Sequence, residues 1–172
     1  MKKIIFIIAL WVGKFTNLLC KIFHKSGTFI SGEMAKKVQK DFVKHFRGID
    51  YSKVVFVTGT NGKSTTTNII AHTLKSAGKS IATNTEGANM MSGVATTLIK
   101  NSSLFGKFKK EYLVLEIDER SLKAIREVLP AKNLCISNLQ KDQVQRNGDP
   151  DFIYSMFRDT INKDVTLFVN NE

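Results

Sequence analysis

The chain has 172 residues, 42% hydrophobic and 24% charged, which is material for one compact core and excludes the low-hydrophobicity composition of a disordered chain. Its two cysteines, Cys20 and Cys135, cannot build a disulfide framework, and without a C-x-x-C or Cys/His cluster no zinc site is expected. Of the net charge of +11, most sits in residues 1–50, which hold ten Lys or Arg against three Asp or Glu. The basic residues there alternate with apolar ones, with no RNP-like aromatic motif or zinc-finger spacing, so nucleic acid is not expected as a partner.

At the N-terminus, Lys2 and Lys3 precede an uncharged run over 4–13, shorter than the about 20 apolar residues of a bilayer span. No small-residue cleavage pattern follows. Lys14, Phe15, Lys21, Ile22 and Phe23 continue a basic amphipathic helix instead, which argues against a secretory signal. Two readings stay open: a helix on a membrane surface, with residues 2–23 touching lipid through Ile4, Ile5, Ile8, Trp11 and Phe15, or a helix docked on the protein's own core. The turn-rich segment SGTFISG over 26–32 marks a boundary, and a second basic amphipathic stretch over 34–46 runs up to Gly48. The expected division is a helical leader over 1–47 and a second unit over 48–172.

Residues 54–57, Val-Val-Phe-Val, predict a buried parallel strand that ends at Thr58-Gly59-Thr60-Asn61-Gly62-Lys63-Ser64, before a helical pattern. Strand, glycine loop, Lys-Ser and helix are the context in which such a loop holds phosphate. Gly59 and Gly62 let backbone N–H groups converge, the helix presents its positive end, Lys63 adds a mobile charge, and the Ser64 hydroxyl is a ligand for Mg²⁺. The spacing departs from G-x-x-x-x-G-K-[ST], since Val57 stands five before Gly62.

Alternating units follow, as an α/β doubly wound sheet requires, with strands predicted over 54–60, 80–84, 111–118, 133–138 and 165–170. Helices are predicted over 63–77, 89–100, 119–129 and 151–161. Polar residues collect at the carboxyl ends of the strands, where such sheets bind ligands: Asn84, Asn89, Glu116, Asp118, Glu119, Asn138 and Asp142. Glu116 closes the apolar run Tyr112-Leu113-Val114-Leu115 and is the carboxylate best placed to complete a Mg²⁺ shell begun by Ser64. Asp118 and Glu119 read as helix-capping or supporting groups.

The loop TGTNGKS, followed in order by TNTEGANMMSGVATTLI, LVLEIDE and NLQKDQVQRNGD, resembles the Mur ligase family. Asp142-Gln143 stands where ordinary members carry a His, as in the family's amidating branch, while Gln145 and Asn147 depart from its usual residues. The resemblance implies a three-layer, mostly parallel sheet of the Mur ligase central domain type over 48–172. It also implies an ATP-dependent carbon–nitrogen ligase of peptidoglycan synthesis, which amidates the D-glutamate of lipid II to D-isoglutamine with ammonia from a separate GatD-like glutaminase subunit. By the same likeness Gly59, Thr60, Asn61, Gly62, Lys63, Ser64 and Thr65 bind ATP, Lys63 and Glu116 are catalytic, and Ser64 and Glu116 hold Mg²⁺. Asn84, Asn89, Asn138 and Asp142 face the acceptor. The implied location is cytoplasmic, at the inner membrane face if the leader touches lipid. Because residues 170–172 replace the family's N-A-D-D, a C-terminally truncated domain, inactive alone, is expected; the alternative is a non-catalytic ATP-binding remnant or regulatory binding module.

Overall fold

The computed structural model describes residues 2–24, 27–84, 88–138, 154–155, 157–158, 160–161 and 163–170. Two helices come first, α1 (Lys2–Ile22) and α2 (Ile30–Val38), then 3₁₀ turns at Phe42–His45 and Tyr51–Lys53. Strand and helix then alternate: β1 (Val54–Thr58), α3 (Lys63–Ser76), β2 (Ile81–Thr83), α4 (Met91–Lys100), β3 (Tyr112–Glu116), α5 (Leu122–Val128), β4 (Asn133–Ile136) and β5 (Thr166–Val169). Every predicted strand is present, each slightly shorter than predicted. The helix predicted from 119 begins as a 3₁₀ turn, Glu119–Ser121, before α5, because Asp118 caps it by accepting the Arg120 amide at 3.1 Å. Much of the segment 151–161 lies outside the described residues, although Tyr154, Ser155, Phe157, Arg158 and Thr160 are helical.

The five strands form one parallel sheet in the order β2-β3-β1-β4-β5. From β1 the chain crosses to the edge at β2, returns to β3 beside β1, and then moves to β1's other side. β1 is therefore flanked by strands reached in opposite directions, the arrangement that opens a crevice at the carboxyl ends. The register sets Val57 beside Glu116 and Thr58 beside Ile136.

One sheet face carries Val54, Phe56, Leu113, Leu115 and Leu134, which join Val94, Leu98 and Ile99 of α4 in a core that also takes in Phe6 and Leu10 of α1 and Ala35 of α2. Phe6, Phe42 and Phe46 complete it as a ring cluster with centroids 5.0–5.3 Å apart, each pair contributing about 1 kcal/mol beyond its buried area. α2 meets α4 at Gly32, where a Cβ would fall on the Ser92 carbonyl oxygen, so only glycine permits this approach. α3 covers part of the opposite face and leaves an open groove of about 560 Å³ against Val55, Tyr112, Cys135 and Phe168.

The docked reading of the leader holds for one face of α1, which buries Phe6, Ala9, Leu10, Gly13 and Cys20. The other face carries Ile4, Ile5, Ile8, Trp11 and Phe15, all 40–67% exposed. Lys14 does not end the apolar helix: its amine donates to the carbonyls of Ile99 (2.8 Å) and Ser102 (2.9 Å), and the helix runs on to a length and composition sufficient to cross a bilayer.

Candidate nucleotide site

The loop after β1 turns on two left-handed glycines, Gly59 at φ 127° and Gly62 at φ 78°, which strain any residue with a Cβ. A Cβ on Gly59 would also meet Ser137 Oγ and the Asn138 backbone. The end of β4 clamps this loop. Thr60 N donates to the Asn138 carbonyl (3.0 Å), Asn61 N to Asn138 Oδ1 (2.9 Å), and Ser137 Oγ to the carbonyls of Thr58 (3.2 Å) and Asn61 (2.5 Å).

In α3 the amides of Lys63, Ser64 and Thr65 precede the first hydrogen bond of the helical ladder, Thr66 N to Gly62 O. They form the positive end of a 14-residue helix with no acidic residue in its first turn. Lys63 Nζ folds back over the loop, donating to the carbonyls of Gly59 (2.5 Å) and Thr60 (3.1 Å) and to Glu119 Oε1 (3.0 Å). Glu119 is 4% exposed, so this ion pair is largely shielded from water.

The Ser64 hydroxyl donates to Glu116 Oε2 at 2.6 Å. Glu116 reaches it because β3 neighbours β1, which brings the end of β3 beside the head of α3. Asn84 fixes the Glu116 backbone: its Oδ1 accepts Glu116 N (2.8 Å) while its Nδ2 donates to Glu116 O and Ala88 O (both 2.8 Å). Asn89 Nδ2 approaches Glu116 Oε1 at 3.5 Å.

The loop residues, Lys63, Ser64, Thr65, Glu116 and Asn89 thus converge on one crevice. Asn84 and Asn138, expected on the acceptor side, direct their amides to backbone groups instead: Asn84 holds Glu116, and Asn138 holds the glycine loop. Asp142 lies outside the described residues. Ser137 is the addition. Of the two acids expected as capping or supporting groups, Asp118 caps the 3₁₀ turn and Glu119 supports Lys63. Burial pushes the Cys135 thiol pKa up on the sheet face away from the core, so it is a poor nucleophile.

Ser64 and Glu116 supply two hard oxygens at a solvent-accessible site, a donor set suited to Mg²⁺, which keeps waters and completes its shell with phosphate oxygens. No group of three His, Cys, Asp or Glu side chains gathers among the described residues.

Comparison with known proteins gives a match to the Mur ligase middle domain over residues 57–161. The chain is 35% identical over 164 residues to the lipid II isoglutaminyl synthase (glutamine-hydrolyzing) subunit MurT of Staphylococcus aureus strain COL, covering 94% of this chain and 36% of that protein. The MurT subunit of Streptococcus pneumoniae strain R6 is 37% identical over 143 residues, covering 83% and 31%. The chain therefore spans about a third of the length of these relatives. Among solved structures, the MurF ligase of Thermotoga maritima in complex with ADP superposes with a TM-score of 0.58 at 21% identity, over 81% of this chain and 32% of that one. MurF of Acinetobacter baumannii gives 0.59 at 19% identity over 81% and 30%. Both show the same fold.

Proposed function

Because the chain belongs to the Mur ligase family, through its middle domain, we propose that it is the nucleotide-binding part of a peptidoglycan-synthesis ligase and that residues 59–65 take ATP. The observation that best supports this is the 2.6 Å Ser64–Glu116 contact beside Lys63 at the head of α3. Ser64 and Glu116 would hold Mg²⁺, which supplies charge neutralisation at the phosphate oxygens.

The chain's own residues do the positioning. The amides at the start of α3 cradle phosphate, and Lys63 balances charge on the group being transferred. Asn84 keeps Glu116 from drifting, and the clamp from Ser137 and Asn138 holds the glycine turn in shape. Asn89, whose amide faces Glu116, is the residue we place toward the acceptor.

On the likeness to the MurT subunits we assign the acceptor as the D-glutamate carboxylate of lipid II, activated with ATP and converted to the amide by ammonia from a GatD-like glutaminase subunit. A cytoplasmic place of action, where ATP is available, goes with this reading.

Calorimetry tests the nucleotide site: ATP with Mg²⁺ should bind the folded chain, and Lys63→Ala should remove most of that binding. Equal affinity for the two proteins, with matching circular dichroism, would overturn the assignment. The acceptor is tested by mass spectrometry of lipid II incubated with the ligase assembled with its glutaminase, glutamine and ATP. Unchanged amide yield on Glu116→Gln would remove that residue from the mechanism.

A further inference from the structure

At about 100° per residue, the buried residues of α1 (Phe6, Ala9, Leu10, Gly13, Cys20) and its exposed apolar residues (Ile4, Ile8, Trp11, Phe15, Leu18, Ile22) are centred roughly 180° apart around the helix. One face is spent on the protein's core. The other is a second apolar stripe along the whole helix, and a soluble helix that is apolar all round has a second surface to meet.

A loop distant in sequence extends this stripe. Trp11 Nε1 donates to the Leu104 carbonyl at 3.1 Å, which sets the loop tip, Leu104 (56% exposed) and Phe105 (63%), beside Trp11 (53%). The placement is built in: Arg47 Nη2 donates to the Phe105 carbonyl at 3.3 Å, and a Cβ on Gly106 would meet the Phe6 ring at 2.5 Å.

The charges within the two segments have one sign. No acidic residue precedes Glu33, while Lys2, Lys3 and Lys21 are exposed on α1. Between residues 100 and 110 stand Lys100, Lys107, Lys109 and Lys110 with no acid. Lys109 lies near enough to Lys14 that its charge, after burial, helps lower the Lys14 pKa.

We infer that α1 and the loop tip at Leu104-Phe105 form a single platform that seats on an anionic lipid surface, with the apolar stripe entering the acyl boundary and the lysines facing lipid phosphates. Charge complementarity selects this occupant, since two separate segments, residues 2–32 and 100–110, both combine exposed apolar side chains with lysines and carry no acid. The docked face of α1 keeps the helix lying on the bilayer, not across it. The proposal stands apart from the nucleotide reading, because none of these residues touches the glycine loop.

Trp11 is the chain's single tryptophan, so its fluorescence reports the platform directly. The full chain is mixed with phosphatidylcholine vesicles, with or without phosphatidylglycerol, free of nucleotide and cell-wall precursor. The expected result is a blue shift of Trp11 emission and co-sedimentation with the phosphatidylglycerol vesicles only, reversed by salt. The double variant Leu104→Ser/Phe105→Ser changes exposed side chains and spares the core; it should bind at least about tenfold more weakly. Lys63→Ala should bind vesicles like the parent, which separates this surface from the nucleotide site. Unchanged Trp11 emission, equal binding by the double variant, binding that salt cannot reverse, or self-association that hides Trp11 from vesicles would each overturn the proposal.

Discussion

Asn84 takes over where β2 stops: the ladder with β3 ends at Thr83–Val114, and one amide side chain then supplies the bonds to both sides of Glu116. Asn84→Ala leaves those backbone groups without their partner and should cost about 2 kcal/mol in urea unfolding while weakening Mg²⁺-dependent nucleotide binding. Mg²⁺-free binding should change little. The buried Lys63–Glu119 pair makes the opposite kind of prediction. Glu119→Gln keeps a hydrogen bond but removes a negative charge beside the phosphate loop, so Mg²⁺-free ATP should bind about tenfold more tightly by calorimetry. The glycine loop and Lys63-Ser64 were legible in the sequence because few environments need that residue set. The work of Asn84 was not, since its partner lies 32 positions away and only the strand register brings them together.

At Gly32 the backbone of α2 comes directly against that of α4. Gly32→Ala would drive a methyl into the Ser92 carbonyl, and separating the helices should cost about 3 kcal/mol, read as a clear drop in Tm. Glu33 accepts a short hydrogen bond from the Ser92 hydroxyl, and that bond chiefly holds its pKa below the usual glutamate value of 4.5. A folded-state pKa below the unfolded one means that this contribution is complete above about pH 4.5 and fades as pH falls through the folded value. Ser92→Ala should flatten the acid limb of a Tm-against-pH curve and leave the neutral region parallel to the parent. Periodicity announced α1 and α4 as helices within two residues of their ends. It was silent on which side of α1 docks, because an apolar pattern on both faces gives an amphipathic argument nothing to choose between.

Over the whole molecule, the alternation of strands and helices was readable from β-branched runs bounded by turn residues, and all five strands form. Their spatial order was not, because parallel strands joined by crossover helices carry no local mark of their neighbours. That order nonetheless makes the site: only with β3 inserted between β2 and β1 does Glu116 stand beside the loop. Among the described residues the same order leaves β5 at the sheet margin, with Leu167, Phe168 and Val169 each 40–60% exposed on a strand that carries no charge. Such a margin is a template for the next molecule's strand, so the chain's colloidal behaviour is governed here: turbidity on warming should rise steeply with protein concentration, and Phe168→Lys should suppress it without lowering Tm. Strand addition at this four-residue strand is thus expected to limit how concentrated the chain can be kept.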